Sequence, residues 1–148
     1  MDGIDFVMAD HRLVETIIRQ WHSYMPSIDQ YIVLEGGFTL VAMHGDTPVE
    51  LVAVSYAQLP APLDSTVEAS INDIDVLDDY RRRGIARRLI ELAAERARQD
   101  GACQLSAWST DDKIEAIPMW KALGFGLCPV THSMWGEEIT GYFATRIL

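Results

Sequence analysis

Five arginines crowd one glycine near the middle of this chain: Arg81, Arg82 and Arg83 run into Gly84, and Arg87 and Arg88 follow after Ile85 and Ala86. From Ile85 onward, Leu89, Leu92, Ala93 and Arg96 recur at i+4, i+7, i+8 and i+11, which is one face of a helix. The cluster therefore sits at a helix start, where the first backbone N–H groups lack partners and a partial positive charge accumulates. Such an end is a seat for phosphate. Gly84 has no Cβ, so the backbone can come close to a ligand there, and small Ala86 keeps the next step uncrowded. The guanidinium forks add fixed charge and paired donors, so a pyrophosphate is the expected ligand. No Gly-Lys-Ser or Gly-Lys-Thr is present, which excludes a nucleotide-hydrolysing P-loop, and one glycine cannot make the three-glycine dinucleotide fingerprint.

The strand expected just before this turn, from about Thr66 to Leu77, carries the side chains that can move protons. Period-two alternation predicts Glu68, Ser70 and Asn72 on one face with Ile74 and Val76, and Asp73 and Asp75 on the other. Glu68 is then the carboxylate left on the first face, a base that would work through water. His22, His132 and Tyr142 can also carry protons, but a lone histidine or tyrosine more often serves structure. Cys103 and Cys128 match no metal-ligand spacing, and no metal site is expected.

Arg81, Gly84 and Ala86 satisfy the pattern of Arg or Gln, two residues, Gly, one residue, then Gly or Ala. An apolar strand ending at Val76 and the aromatic Tyr80 precede them. Farther on, Ala116-Ile117-Pro118-Met119-Trp120-Lys121-Ala122-Leu123-Gly124-Phe125 has the form of a short helix closing in Gly-Phe. With these two landmarks the chain resembles the GCN5-related N-acetyltransferase (GNAT) superfamily. The resemblance implies acetyl-CoA as co-substrate, held in a cleft where two central parallel strands splay, with the pantetheine arm lying against the strand before the motif. Carried over, the backbone of Ile74 and Val76 would hold the pantetheine and thioester, and the amides of Arg81, Arg82, Arg83, Gly84, Ile85, Ala86 and Arg87 the pyrophosphate. Lys113 stands where the family often has an asparagine touching pantetheine, and Trp120 where it commonly has a general-acid tyrosine; both join the expected cofactor-lining set.

The implied chemistry is direct transfer, in which a neutral amine attacks the thioester carbonyl and the thiolate leaves. That needs a positioned nucleophile, a donor for the oxyanion and an outlet for the amine's proton. The Val76 N–H is the expected oxyanion donor. An indole N–H does not give up a proton usefully, so Trp120 departs from the family's acid. Asn72 and Ser70, where several members place a glutamate, depart from its base. The expected function is acetyl transfer to a primary amine of a small molecule or peptide. The alternative, favoured by Trp120 and Asn72, is a non-catalytic acyl-CoA sensing module.

Among the elements that must hold these groups, Ile4 to Met8 reads as a first strand and Asp10 as the N-cap of a helix to about His22. Ser27 and Gln30 have capping-box spacing for a second short helix to about Glu35, although Tyr31 to Leu34 also fits a strand. Phe38 to Met43 and Val49 to Leu59 make a hairpin around His44-Gly45-Asp46-Thr47. After the arginine turn and its helix, Cys103 to Trp108 is a strand parallel to the one before it. The Gly-Phe helix follows, with Pro118 in its first turn, and Leu127 to Trp135 with Ile139 to Ile147 closes the chain as a hairpin. The expected fold is α/β: a mixed, mostly antiparallel sheet of about seven strands with a splayed parallel pair, flanked by about four helices, in one domain over 1–148.

Composition agrees with a small enzyme. The 148 residues can close a proper core, and nothing divides them. Net charge is −10, which argues against nucleic acid as a partner. Seven of the 12 Lys and Arg nevertheless fall between positions 81 and 98, as an anionic cofactor there would require. No apolar run is long enough for a bilayer, and two cysteines are too few for a disulfide scaffold, so a cytoplasmic protein is expected. The acceptor would be chosen by 11–35 and the last hairpin, neither of which carries a motif. Oligomeric state is open, a homodimer included.

Overall fold

The computed structural model describes residues 3–134 and 136–148. Seven strands, β1 (Ile4–Met8), β2 (Gly37–His44), β3 (Thr47–Gln58), β4 (Val67–Val76), β5 (Gln104–Thr110), β6 (Gly126–Met134) and β7 (Glu137–Ile147), form one sheet in the order β1-β2-β3-β4-β5-β7-β6. Among the described residues only β4 and β5 pair in parallel; the other neighbours are antiparallel. The parallel pair follows from its connection, the helix α2 (Ile85–Gln99), since a strand returning in the same direction needs a long crossover.

Each face of the sheet has its own apolar layer. On one side Ile85, Leu89, Ala93 and Ala97 of α2 pack over Phe38, Leu40, Val52, Val54, Ala69 and Ile71. On the other, Ile17 and Trp21 of α1 (His11–Trp21) pack over Val41 and Leu51. Asp10 caps α1 as expected, accepting from the Leu13 N–H at 2.8 Å. The third helix, α3 (Ile117–Ala122), carries Pro118 in its first turn and ends before Gly124, whose φ is +81°.

Two expectations are corrected. Among the described residues there are three α-helices rather than about four, because 27–35 holds only one 3-10 turn, Ile28–Gln30. Beyond it the chain is claimed by the sheet: the Thr39 hydroxyl accepts from the Val33 N–H and donates to the Val33 carbonyl, both at 2.9 Å. A residue whose two backbone groups are held this way has none left for a helix. The expected end of β6 at Trp135 lies outside the described residues.

The second correction concerns β4. Ala53 faces Asp73 but Val54 faces Ile71, so Asn72 is an extra residue, a β-bulge. A one-residue slip reverses which side every later side chain takes. Ala69 and Ile71 before the bulge and Ile74 after it all pack on the α2 face. Glu68, Ser70, Asp73 and Asp75, paired with Ala57, Ser55, Ala53 and Leu51, therefore share the α1 face. The expected grouping of Glu68 and Ser70 with Ile74 and Val76 does not hold.

Candidate active site

β4 and β5 are zipped at three positions, Ala69 with Leu105, Ser70 with Ser106 and Ile71 with Ala107. Past them the strands run on separately, β4 from Asn72 to Val76 and β5 from Trp108 to Thr110. The bulge begins where the pairing stops. Beyond that point the β5 side of β4 is a free strand edge.

The atoms on that edge can be named. The Leu77 N–H bonds the Val49 carbonyl of β3 at 2.9 Å. Successive amides along a strand point in opposite directions, so Ile74 and Val76 turn their N–H and C=O groups into the gap. An unpaired edge of this kind invites an extended partner. In the structure its donors lean on the chain itself. Asp75 Oδ1 accepts from the Val76 N–H at 3.0 Å, and the Ile74 N–H lies close enough to the Asp73 carboxylate to favour its charged form. The Val76 carbonyl accepts from the Tyr24 hydroxyl at 2.9 Å. The expected oxyanion donor, Val76 N–H, is therefore available to a ligand only by exchange with Asp75.

Past the end of β4 the chain makes a 3-10 turn, Asp78–Tyr80, and enters α2 through two left-handed residues, Arg82 with φ +60° and Gly84 with φ +79°. The amides from Arg82 to Arg87 meet no acceptor among the described residues, and a Cβ built on Gly84 would touch nothing within 4 Å. The positive end of α2 is thus unobstructed. Its arginines differ in disposition. Arg81 is held away from the turn by Asp78 at 3.0 Å and by the Tyr24 oxygen at 3.2 Å. Arg83 lies over the Tyr80 ring, and Arg87 and Arg88 both reach Glu91, at 3.6 and 3.5 Å. Exposed pairs of this sort contribute about 0–1 kcal/mol, so a bound anion displaces them at little cost.

On the α1 face the gap is flanked by Asp73 from β4 and Trp108 from β5. Both carry a buried atom without a partner among the described residues, Asp73 Oδ2 and Trp108 Nε1. Burial, reinforced by the charge of Asp75, pushes the Asp73 carboxyl up to about 6 against the pull of nearby Lys113. The Trp108 ring fits because Gly141 of β7 has no side chain to meet it, and it is backed by His132 at 5.1 Å between ring centres.

The other expected residues fall as follows. Lys113 stands in the turn after β5, its N–H on the Thr110 carbonyl at 3.2 Å, within electrostatic reach of Asp73. Glu68 lies on the zipped part of β4 and accepts from Gln104 Nε2 at 2.8 Å. Trp120 is 4% exposed and packs edge-on against Phe125 at 4.8 Å, inside the α2-side core. Tyr142 is buried in that same layer, and His22 is exposed beyond α1. Among the described residues no group of three or more His, Cys, Asp or Glu is arranged to hold a metal, and no helix is long and apolar enough to cross a membrane. Asp73 is the residue that alternation alone separated from Glu68 and Ser70, whose face it shares. Its signal was the adjacent polar pair Asn72-Asp73, which a strict two-residue rhythm does not allow.

The family model described as "Acetyltransferase (GNAT) family" matches residues 7–125. A streptothricin acetyltransferase from Streptomyces lavendulae is 32% identical over 98 residues, covering 66% of this chain and 48% of that protein. The chain thus spans about half the length of that curated relative. The structure of NAA60 from Arabidopsis thaliana in complex with acetyl-CoA superposes with a TM-score of 0.79 at 15% identity, covering 98% of this chain and 99% of the other. A GNAT family acetyltransferase from Elizabethkingia anophelis with acetyl-CoA bound gives 0.71 at 16% identity, with both chains fully covered. At such identities these structures show the shared fold.

Proposed function

The chain belongs to the acetyltransferase (GNAT) family, and from that premise we propose that it transfers the acetyl group of acetyl-CoA to a primary amine of a small molecule or peptide. The observation that carries the proposal is the alignment of two open features along β4: the free edge at Ile74 and Val76, and the unobstructed α2 N-terminus at Gly84.

In this assignment the Ile74 and Val76 backbone receives the pantetheine arm as an added strand, and the amides of Arg82, Arg83, Gly84, Ile85, Ala86 and Arg87 receive the pyrophosphate. Arg81 acts from outside, tying the turn to Tyr24, and Lys113 closes the far side of the gap. Trp120 contributes by holding α3 and the Gly-Phe corner in place. The thioester carbonyl then lies beside the Val76 N–H, which Asp75 yields to the developing oxyanion. The amine enters from the α1 face, between Asp73 and Trp108, and leaves as an amide while the thiolate departs to the arm's side.

The likeness to streptothricin acetyltransferase supports a small-molecule amine, and the likeness to NAA60 is one of fold. The single sheet supports one acetyltransferase domain over 1–148, and two free thiols, Cys103 and Cys128, suit a cytoplasmic setting.

The test is coenzyme A titration of wild type and Gly84→Glu, with folding verified for both, followed by thiol release from acetyl-CoA over a panel of alaninamide, L-lysine and putrescine. Weaker coenzyme A binding by Gly84→Glu together with amine-dependent release is expected. Equal affinities would remove the turn from the site, and binding without turnover on any amine would make the protein a sensor.

A further inference from the structure

Transfer requires that the acceptor lose a proton, because an alkyl ammonium has a pKa of about 10.4 and arrives charged at neutral pH. Three carboxylates lie on the α1 face of β4. Glu68 sits where β4 and β5 are zipped and is held by Gln104. Asp75 is engaged by the Val76 N–H at 3.0 Å and lies 3.2 Å from the Tyr24 hydroxyl oxygen. Asp73 occupies the first position past the bulge, where the gap opens, and its Oδ2 is enclosed with no hydrogen-bond partner among the described residues. A buried acceptor atom left unpaired costs about 1–3 kcal/mol, so a donor entering the gap finds demand for it there.

We propose that Asp73 is the base of the reaction, taking the proton of the acceptor ammonium at the mouth of the β4–β5 gap. This deepens the acetyl-transfer reading above and rests on it. The N–H bond of the ammonium breaks as an O–H bond forms on Asp73, and the freed lone pair makes the C–N bond to the thioester carbon. When the C–S bond breaks, the sulfur keeps its electrons and takes the second proton from nitrogen. Asp73 then returns its proton to solvent, so each ammonium and acetyl-CoA consumed give one amide, one coenzyme A thiol and one proton.

The surroundings suit the role. The groups that bear on Asp73 are Asp75 on its own strand, Lys113 beyond β5 and the Ile74 amide; Tyr24 touches Asp75 from the segment after α1, and His132 backs Trp108 across the gap. Burial is the largest influence and holds the carboxyl up at about 6, strong enough as a base yet ionised at neutral pH. Two aspartates together also favour a cationic acceptor over an anionic one. An arm paired with the Ile74 amide would relieve Asp73 of that neighbour and leave both oxygens to the amine.

The experiment is the pH dependence of kcat/KM, on the best amine of the panel above, for wild type, Asp73→Asn, Asp73→Glu and Glu68→Gln, with coenzyme A affinity and melting temperature measured alongside. Wild type should lose activity on an acid limb near pH 6. Asp73→Asn should lose about 10²–10⁴-fold and lack that limb, with coenzyme A affinity within twofold. Asp73→Glu should recover part of the rate, and Glu68→Gln should match wild type. A strand-capping role alone would lower stability and coenzyme A affinity while leaving the limb in place, and that result, or an Asp73→Asn rate within threefold of wild type, overturns the proposal. Absence of turnover by wild type on every amine would instead sink the acetyl-transfer reading, and this inference with it.

Discussion

The Tyr24 hydroxyl donates to the Val76 carbonyl at 2.9 Å while its oxygen accepts from Arg81 at 3.2 Å. One phenol thereby joins three parts of the site: the segment after α1, the open edge of β4 and the arginine turn. Burial and the neighbouring Asp75 hold its pKa above the usual tyrosine value, partly offset by Arg81, so it remains a donor throughout the neutral range. Tyr24→Phe should cost about 0.5–1 kcal/mol of stability, since the group is partly exposed. The acceptor KM should rise severalfold with coenzyme A affinity changed less than twofold, as steady-state kinetics and calorimetric titration would read.

Gly84→Ala isolates backbone conformation from bulk. The left-handed φ of +79° costs an alanine about 1–2 kcal/mol, yet the added methyl meets nothing in the free protein. Denaturant unfolding should register that loss. Coenzyme A affinity should fall further than a remote change of equal stability cost, because the methyl would stand where the diphosphate approaches.

Glu50 of β3 is 1% exposed, its Oε1 has no partner among the described residues, and its carboxyl is pushed up from 4.5 to about 8 by burial and then by Asp75. Between those values the folded protein keeps a proton that the unfolded chain has released, so stability falls as pH rises from about 4.5 to about 8 and levels off above. Glu50→Gln should flatten that slope and gain on the order of a few kcal/mol at pH 8 to 9. Melting temperatures from pH 4 to 9 for both proteins provide the comparison.

Trp120→Tyr places a phenol where relatives commonly carry an acid. The ring here is enclosed against Phe125, so the change should leave kcat no higher. It should cost roughly 1–3 kcal/mol from lost packing, a fraction of the full truncation penalty for a buried tryptophan. A rise in kcat with an added basic limb would mean that the indole side of α3 reaches the thioester after all.

The ends of α1 and α2, the hairpins and the parallel pair were legible because each rests on local chemistry: Asp10 as a cap, Gly84 at a left-handed turn, Pro118 in a first helical turn. The open entry to α2, where the diphosphate is proposed to sit, was legible for the same reason. The grouping of Glu68 and Ser70 with Ile74 and Val76 failed because it depends on register. Asn72 is inserted by the pairing of β4 with β3, and no window of β4 alone counts the residues across from it. The short helix expected at 27–35 failed likewise, since Thr39, well downstream in the chain, takes both backbone groups of Val33. Trp120 could be aligned with the family's acid by spacing, but only tertiary packing told which way its ring turns.

The supernumerary Asn72 lets one strand be written in two phases, apolar at odd numbers before it and at even numbers after. Removing that single residue would restore an unbroken pleat and rotate every side chain on one half of the strand through half a turn. Either Ala69 and Ile71 would trade places with Glu68 and Ser70, or Ile74 with its two aspartate neighbours, sending charge into an oily layer. Length at this position is therefore held more tightly than chemistry: many side chains could stand at 72, but none could be omitted.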